Sequence, residues 1–254
     1  MVAEPWAADA VARARRRPSL RVGLHLVLVE GRPVLPAGQV PDLIDGRGRF
    51  RTDMARLGLD IFLRPHVRKQ LAAEIAAQFE AFAATGLPLD HVNAHKHFHL
   101  HPTIAREIIR IGRAYGMRSL RVPLEPASVL ARVEPRAARM GSRMTAPWAG
   151  LLRWKARRAG LAAPDAVFGL AWSGVMTAER VAGLIQNLPG GLTEIYVHPA
   201  TGGTFEGSAP GYRYAEELAA LTSPLAREAV RASGARLGGY ADFCGAGSAS
   251  NALA

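Results

Sequence analysis

Residues 20–29 (LRVGLHLVLV) form a near-continuous apolar run of strand length. Such a run is expected where a strand is covered on both faces, as in a parallel sheet flanked by helices. The rest of the chain alternates in the matching way. Helices are predicted over 67–84, 102–115 and 178–188, and further strands over 89–94, 119–122, 166–171, 192–197 and 236–240. Residues 1–17 read as a helix with Pro5 in its first turn and Arg13, Arg15, Arg16 and Arg17 at its C-terminal end, where the helix dipole favours cations. Residues 31–50 are rich in Gly and Pro and read as a long loop, a common place for substrate contacts. Strands alternating with helices predict an α/β fold with a parallel sheet, open or closed into a barrel. No internal repeat or long linker divides the sequence. One domain over 1–244 is expected, followed by a loose tail at 245–254.

Composition narrows the classes. The 254 residues are 49% hydrophobic and 21% charged, with a mean hydropathy of +0.04. That is too apolar for disorder, and the apolar runs are too short to span a bilayer. The lone Cys244 excludes an intramolecular disulfide framework and any Cys-rich zinc module, which fits a reducing, cytoplasmic compartment. Residues 1–17 carry their acids early and their basic cluster last, the reverse of a secretory signal. A net charge of +11 permits a polyanionic partner without demanding one. Residues 147–160 (PWAGLLRWKARRAG) are predicted to form a helix with Trp148, Leu151, Leu152 and Lys155 on one side. Arg153, Arg157 and Arg158 lie largely elsewhere, and Arg136, Arg139 and Arg143 extend the charge upstream. Two readings stay open here: a helix lying peripherally on an anionic inner-membrane surface, or an ordinary helix with a solvated basic face. No nucleic-acid-binding motif accompanies the arginines, so nucleic acid is not expected as a partner.

The chemistry concentrates in histidine. His91, His95, His97, His99 and His101 fall within eleven positions, in DHVNAHKHFHLHP. Their spacing of two places alternate rings on one side of an extended segment. The segment follows a strand and runs into Pro102, at the C-terminal strand end where active sites of α/β folds gather. Neutral imidazole is the commonest protein metal ligand, so the cluster predicts a metal site with further histidines orienting ligands or moving protons. The alternative is a polar turn whose histidines cap the helix at Pro102. His25 interrupts the apolar run, where an unpaired polar side chain is costly. His198, in EIYVHPA, repeats the pattern of strand, histidine and proline. No GxSxG elbow, P-loop, HExxH helix or GxGxxG fingerprint occurs, which leaves hydrolysis by metal-activated water as the best reading.

With these motifs the chain resembles the YdjC-like (ChbG-type) carbohydrate deacetylases. PSLRVGLHLVL is similar to the family's first metal-histidine motif and HVNAHKHFHLHP to its second. GRPVLP, LRVPLEP and TEIYVHPA look closest to the hopanoid-biosynthesis branch, HpnK. The resemblance implies a distorted TIM-like β/α barrel that removes acetyl groups from N-acetylated sugars with a divalent metal, zinc, magnesium or manganese. It implies His25 and His95 as metal ligands, His198 as proton donor to the leaving amine, and His97 as a supporting catalytic group. It further implies Arg121 and Glu125 as substrate contacts, and a glycolipid as the substrate of the hopanoid branch. A homodimer stays open.

One element of the family's pattern is absent. The family opens with a strand ending in Asp-Asp-Phe-Gly, which supplies the third ligand and the base, and no Asp-Asp pair occurs in this sequence. The resemblance places Met1 inside the second strand, so a first strand–helix unit of roughly 30 residues is missing. Either the start lies upstream of Met1 or the strand has been lost. Asp90 and Glu194 are the nearest substitutes by position. A catalytically degenerate member that binds metal or sugar, or docks on a membrane, is therefore the competing expectation.

Overall fold

The computed structural model describes residues 1–137, 146–205 and 207–243. Arg139, Arg143, Cys244 and the tail at 245–254 lie outside the described residues. The architecture is mixed α/β, and the chain divides into two compact units, one of residues 1–121, 151–163 and 238 onward, the other of 122–150 and 164–237.

The first unit is built on strands β1 (Val22–Leu26) and β2 (Leu89–Ala94), paired in parallel with His25 opposite Asn93 and Leu26 opposite Ala94. Short bridges join Val92 to Leu120 and Ser119 to Ala162. Residues 119–122 thus contribute bridges where a strand was expected. Helix α1 (Ala7–Arg15) starts later than expected, because Pro5 stands before the first turn rather than in it. Helices α2 (Met54–Leu63), α3 (Pro65–Ala83) and α4 (Pro102–Ala114) follow, the latter two opening on proline as the sequence predicts. Leu71, Ile75 and Phe79 of α3, Ile104 and Ile108 of α4 and Leu24 and Val92 of the strands are fully buried. Each such side chain contributes about 1.5–3 kcal/mol.

The loop at 31–50 is pinned rather than free. It holds a 3₁₀ turn, Ala37–Gln39, and an antiparallel bridge from Ile44 to Phe50. The buried Glu74 carboxylate accepts the Val34 and Leu35 N–H groups at 2.9 and 3.0 Å. Gln78 accepts from the Val27 N–H at 2.9 Å and donates to the Val27 carbonyl at 2.6 Å. Gln78 thus satisfies the backbone just past β1 and Glu74 that of the loop, both from α3.

The second unit holds α5 (Ala127–Val133), β3 (Ala166–Phe168), α7 (Ala178–Gln186), β4 (Thr193–Ile195), α8 (Tyr214–Thr222) and α9 (Pro224–Ser233). Between α5 and β3 lies α6 (Ala146–Arg158), whose residues from 151 on group with the first unit. Strands β3 and β4 pair in parallel, with Phe168 opposite Ile195. Val129, Leu130, Phe168, Trp172, Met176, Val181 and Leu184 form its buried core. Residues 236–240 form no strand; the chain instead ends its described path in a 3₁₀ turn, Tyr240–Asp242. Asp90 holds that turn to the first unit by accepting the Tyr240 and Ala241 N–H groups at 3.1 and 2.9 Å.

Candidate active site

The parallel register of β1 and β2 brings two of the predicted ligands together. His25 sits one residue before the end of β1 and His95 one residue past the end of β2. Their rings meet edge to face with centroids 5.7 Å apart. Beyond β2 the expectation of an extended histidine segment fails. His95–Leu100 is a 3₁₀ turn, with Lys96 (φ 50°) and His97 (φ 53°) in the left-handed region. Glu30, after β1, has φ 56° as well, and it forms an ion pair with Lys96. Three non-glycine residues in this costly conformation cluster beyond the ends of the two strands that carry the histidine pair, as strained residues often do at functional sites.

The turn sends the remaining histidines in different directions. His97 and His99 lie with ring centroids 6.1 Å apart. His99 is fully buried, and its Nε2–H donates to the Arg121 carbonyl at 2.9 Å, since a carbonyl only accepts. Burial holds it neutral, with its pKa lowered to about 3. His101 packs against Gly58 of α2, where an added Cβ would lie 3.3 Å from the ring. His91 sits near the opposite end of β2, stacked on Tyr240 at 4.6 Å and bonded to Asp90 at 2.8 Å. Asp90 itself lies four residues before Ala94, which ends β2, so it is no substitute ligand at the His25–His95 end. Burial raises its pKa, but the bonds from His91 and the two turn N–H groups outweigh that and hold the carboxyl below its ordinary value. Glu194 lies in the middle of β4, in the second unit.

Asn93 and Arg121 complete the first cluster. The Asn93 amide stands between His25 Nδ1, 2.6 Å away, and the Arg121 guanidinium, 2.9 and 3.1 Å away. A guanidinium only donates, so the amide oxygen faces Arg121 and the amide nitrogen donates to His25 Nδ1. The proton of His25 then resides on Nε2. Burial, with His95 and Arg121 adding to it, lowers the His25 pKa to about 3, so the ring is neutral at ordinary pH. Neutral imidazoles suit a divalent cation without first losing a charge. The pair thus fits two positions of a metal's coordination sphere. No group of three or more His, Cys, Asp or Glu among the described residues has the geometry to hold a metal alone.

The second unit carries its own cluster. His198 follows β4, and its N–H donates to Glu217 Oε2 at 2.5 Å while its ring Nδ1 lies 4.0 Å from the same oxygen. Glu217, on α8, is buried and also accepts the Met176 N–H at 3.0 Å. The rings of Tyr196 and Tyr212 stand edge-on to His198 at 5.6 and 5.1 Å, and the Tyr212 hydroxyl pairs with Ser173 at 2.8 Å. Glu125 is buried as well. Its carboxylate accepts the N–H groups of Gly169, Leu170 and Ala171 at 2.9, 3.1 and 3.0 Å, fixing the turn after β3, and burial pushes its pKa up. Asn93, Glu217 and Tyr212 are the functional candidates that sequence reasoning missed. Asn93 alone had a signal, two residues before His95 on the same strand face.

Comparison with known proteins agrees with this architecture. The pattern of the family described as YdjC-like protein matches residues 1–232. A carbohydrate deacetylase of Homo sapiens is 31% identical over 266 aligned residues, covering 91% of this chain and 77% of that protein. One of Geobacillus stearothermophilus is 28% identical, covering 94% of this chain and 82% of its own length. One of Brevibacillus brevis is 40% identical over 106 residues, and there the chain spans 40% of the relative. A crystal structure of a candidate cellobiose-phosphate cleavage protein from Enterococcus faecalis shares the fold, with a TM-score of 0.72 at 22% identity over 96% of this chain and 86% of that one. With its family pattern spanning residues 1–232 and its histidine pair at the ends of two parallel strands, the chain belongs to the YdjC-like family.

Proposed function

We propose that the protein is a metal-dependent N-deacetylase acting on an N-acetylglucosamine-type sugar, with a hopanoid glycolipid of the HpnK type as the preferred substrate. The observation that carries this reading is the His25–His95 pair, two imidazoles held 5.7 Å apart where β1 and β2 end. Relatives named carbohydrate deacetylase support the reaction class.

His25 and His95 would hold the divalent metal, zinc, magnesium or manganese, with His97 supporting them. Bound there, such an ion would supply Lewis acidity toward water and the acetyl carbonyl. Hydrolysis adds water across the amide, breaking the C–N bond to give acetate and an amine. His198 would give the amine its proton, and Glu217 would hold the ring in place through the backbone bond and the nearby carboxylate. Arg121 is the proposed substrate contact in the first unit. Glu125 serves the substrate through the turn 169–171 that it fixes.

The reaction also needs a third ligand and a base, and the family's Asp-Asp pair is not in this sequence. The second reading is a member that binds metal or sugar without turnover. Acetate release from an N-acetylated chito-oligosaccharide separates the two. The enzyme reading predicts metal-dependent release that falls at least about 10³-fold in His95→Ala with an unchanged circular dichroism spectrum. Full activity in that variant overturns the assignment, and metal binding without any release selects the second reading.

A further inference from the structure

Helix α6 is turned with its aromatic side outward. Ala149, Leu152 and Ala156, at spacings of three and four, make its buried stripe. Trp148, Leu151 and Trp154 are 52%, 38% and 55% exposed, in a row spaced by three that runs from the edge of the stripe to the far side of the helix. Three large apolar side chains in a row on the solvent side of one helix are unusual for a surface whose only task is to meet water. The polar residues around them are all cationic. The helix APWAGLLRWKARR carries Arg153, Lys155, Arg157 and Arg158 and no acid. The Arg158 guanidinium lies 5.3 Å over the Trp154 ring, on the exposed arc.

We infer that this face of α6 docks on an anionic lipid bilayer, with Trp148, Leu151 and Trp154 entering the headgroup region. Indole rings prefer that depth because one edge is apolar and the N–H can meet water or a carbonyl. Lys155 and Arg158 flank the apolar row, where their heads can meet lipid phosphates while their stems lie along it. A cationic helix on a chain of net charge +11 is repelled by a second copy of itself, which disfavours a symmetric dimer through this face. The structure has no helix among its described residues that is long and apolar enough to cross a membrane, so the contact is peripheral. The inference stands apart from the proposed reaction, because it is read without turnover.

The test is co-sedimentation of the full chain with phosphatidylglycerol–phosphatidylcholine vesicles and with pure phosphatidylcholine vesicles, followed also by tryptophan emission. Binding to the anionic vesicles, a blue shift, and weakening in high salt are expected. The double variant Trp148→Ser/Trp154→Ser and the variant Lys155→Glu/Arg158→Glu should each bind at least about tenfold more weakly, with melting temperatures close to that of the parent because all four side chains lie outside the buried stripe. Equal binding to neutral vesicles, parent-like binding by both variants, or self-association through this face overturns the inference. So does RNA binding in the absence of any vesicle binding.

Discussion

Asn93 decides how His25 presents its nitrogens. The amide nitrogen faces His25 Nδ1 and the oxygen faces Arg121. Ligation through His25 Nε2 would call for the amide oxygen at Nδ1, an orientation that exchanges the two Arg121 bonds for one to the ring. Groups that orient a ligating histidine in this way are typically worth 10–100-fold in metal affinity. Asn93→Leu should therefore weaken metal binding by about that factor in a calorimetric titration, with little change in melting temperature. Unchanged affinity would remove Asn93 from the site. His99 makes a second prediction at this scale. Unfolded, it takes up a proton near pH 6.5; folded and fully buried, it stays neutral down to about pH 3. The unfolded state thus binds more protons across this window, so stability rises with pH through it, by about 1.4 kcal/mol per pH unit. His25, shifted the same way, adds to the slope. Melting temperature should fall as pH drops from 6.5 to 4.5, against the smaller opposing effect of Glu74 and Glu125, whose carboxyls burial pushes up. His99→Gln, which keeps a donor for the Arg121 carbonyl without a titrating ring, should flatten the curve. A parent curve already flat there contradicts the burial argument.

Among the elements, those with a single strong period were legible. Strand β2 spans the 89–94 expected of it, and α4 opens at Pro102, because an apolar strand and a proline-started amphipathic helix leave few alternatives. Helix α2 was hidden by its own surface: Leu59, Phe62 and Leu63 are exposed, while the buried face includes Gly58. Helices α8 and α9 were hidden because their buried faces use Ala220, Ala226, Ala229 and Glu217 in place of large aliphatics. The histidine turn was misread for a different reason. A period of two describes a strand only while the backbone stays extended, and Lys96 and His97 leave that region. Of the candidate site, the histidines could be read from sequence, but the amide that holds His25 and the carboxylate that holds His198 come from other elements. The turn after β3 offers a direct test of such tertiary control. Gly169 has φ 124°, and a Cβ there would lie 2.4 Å from the Tyr196 carbonyl oxygen. Gly169→Ala should cost about 2 kcal/mol or more in denaturant unfolding, since both the conformation and the close approach are lost. A cost below about 0.5 kcal/mol, the range of an ordinary surface change, would show that the turn yields easily.

At the scale of the whole molecule, two parallel strand pairs each deliver a histidine-bearing cluster to a strand end. β1 and β2 carry the His25–His95 pair, and β4 leads into His198. The sequence singled out all three positions as histidines beside predicted strands. The proposed division of labour rests on what surrounds each ring. His25, held neutral by burial, lies in ring contact with His95, and two imidazoles so placed suit a shared cation. His198 stands beside a buried carboxylate, suited to holding and passing a proton. This assignment is tested most directly by titrating the chain with zinc under calorimetry, alongside His25→Ala, His95→Ala and His198→Ala. The account predicts one ion per chain, bound at least about tenfold more weakly in each of the first two variants and unchanged in the third. Binding that survives loss of both His25 and His95, or that disappears with His198 alone, would contradict it.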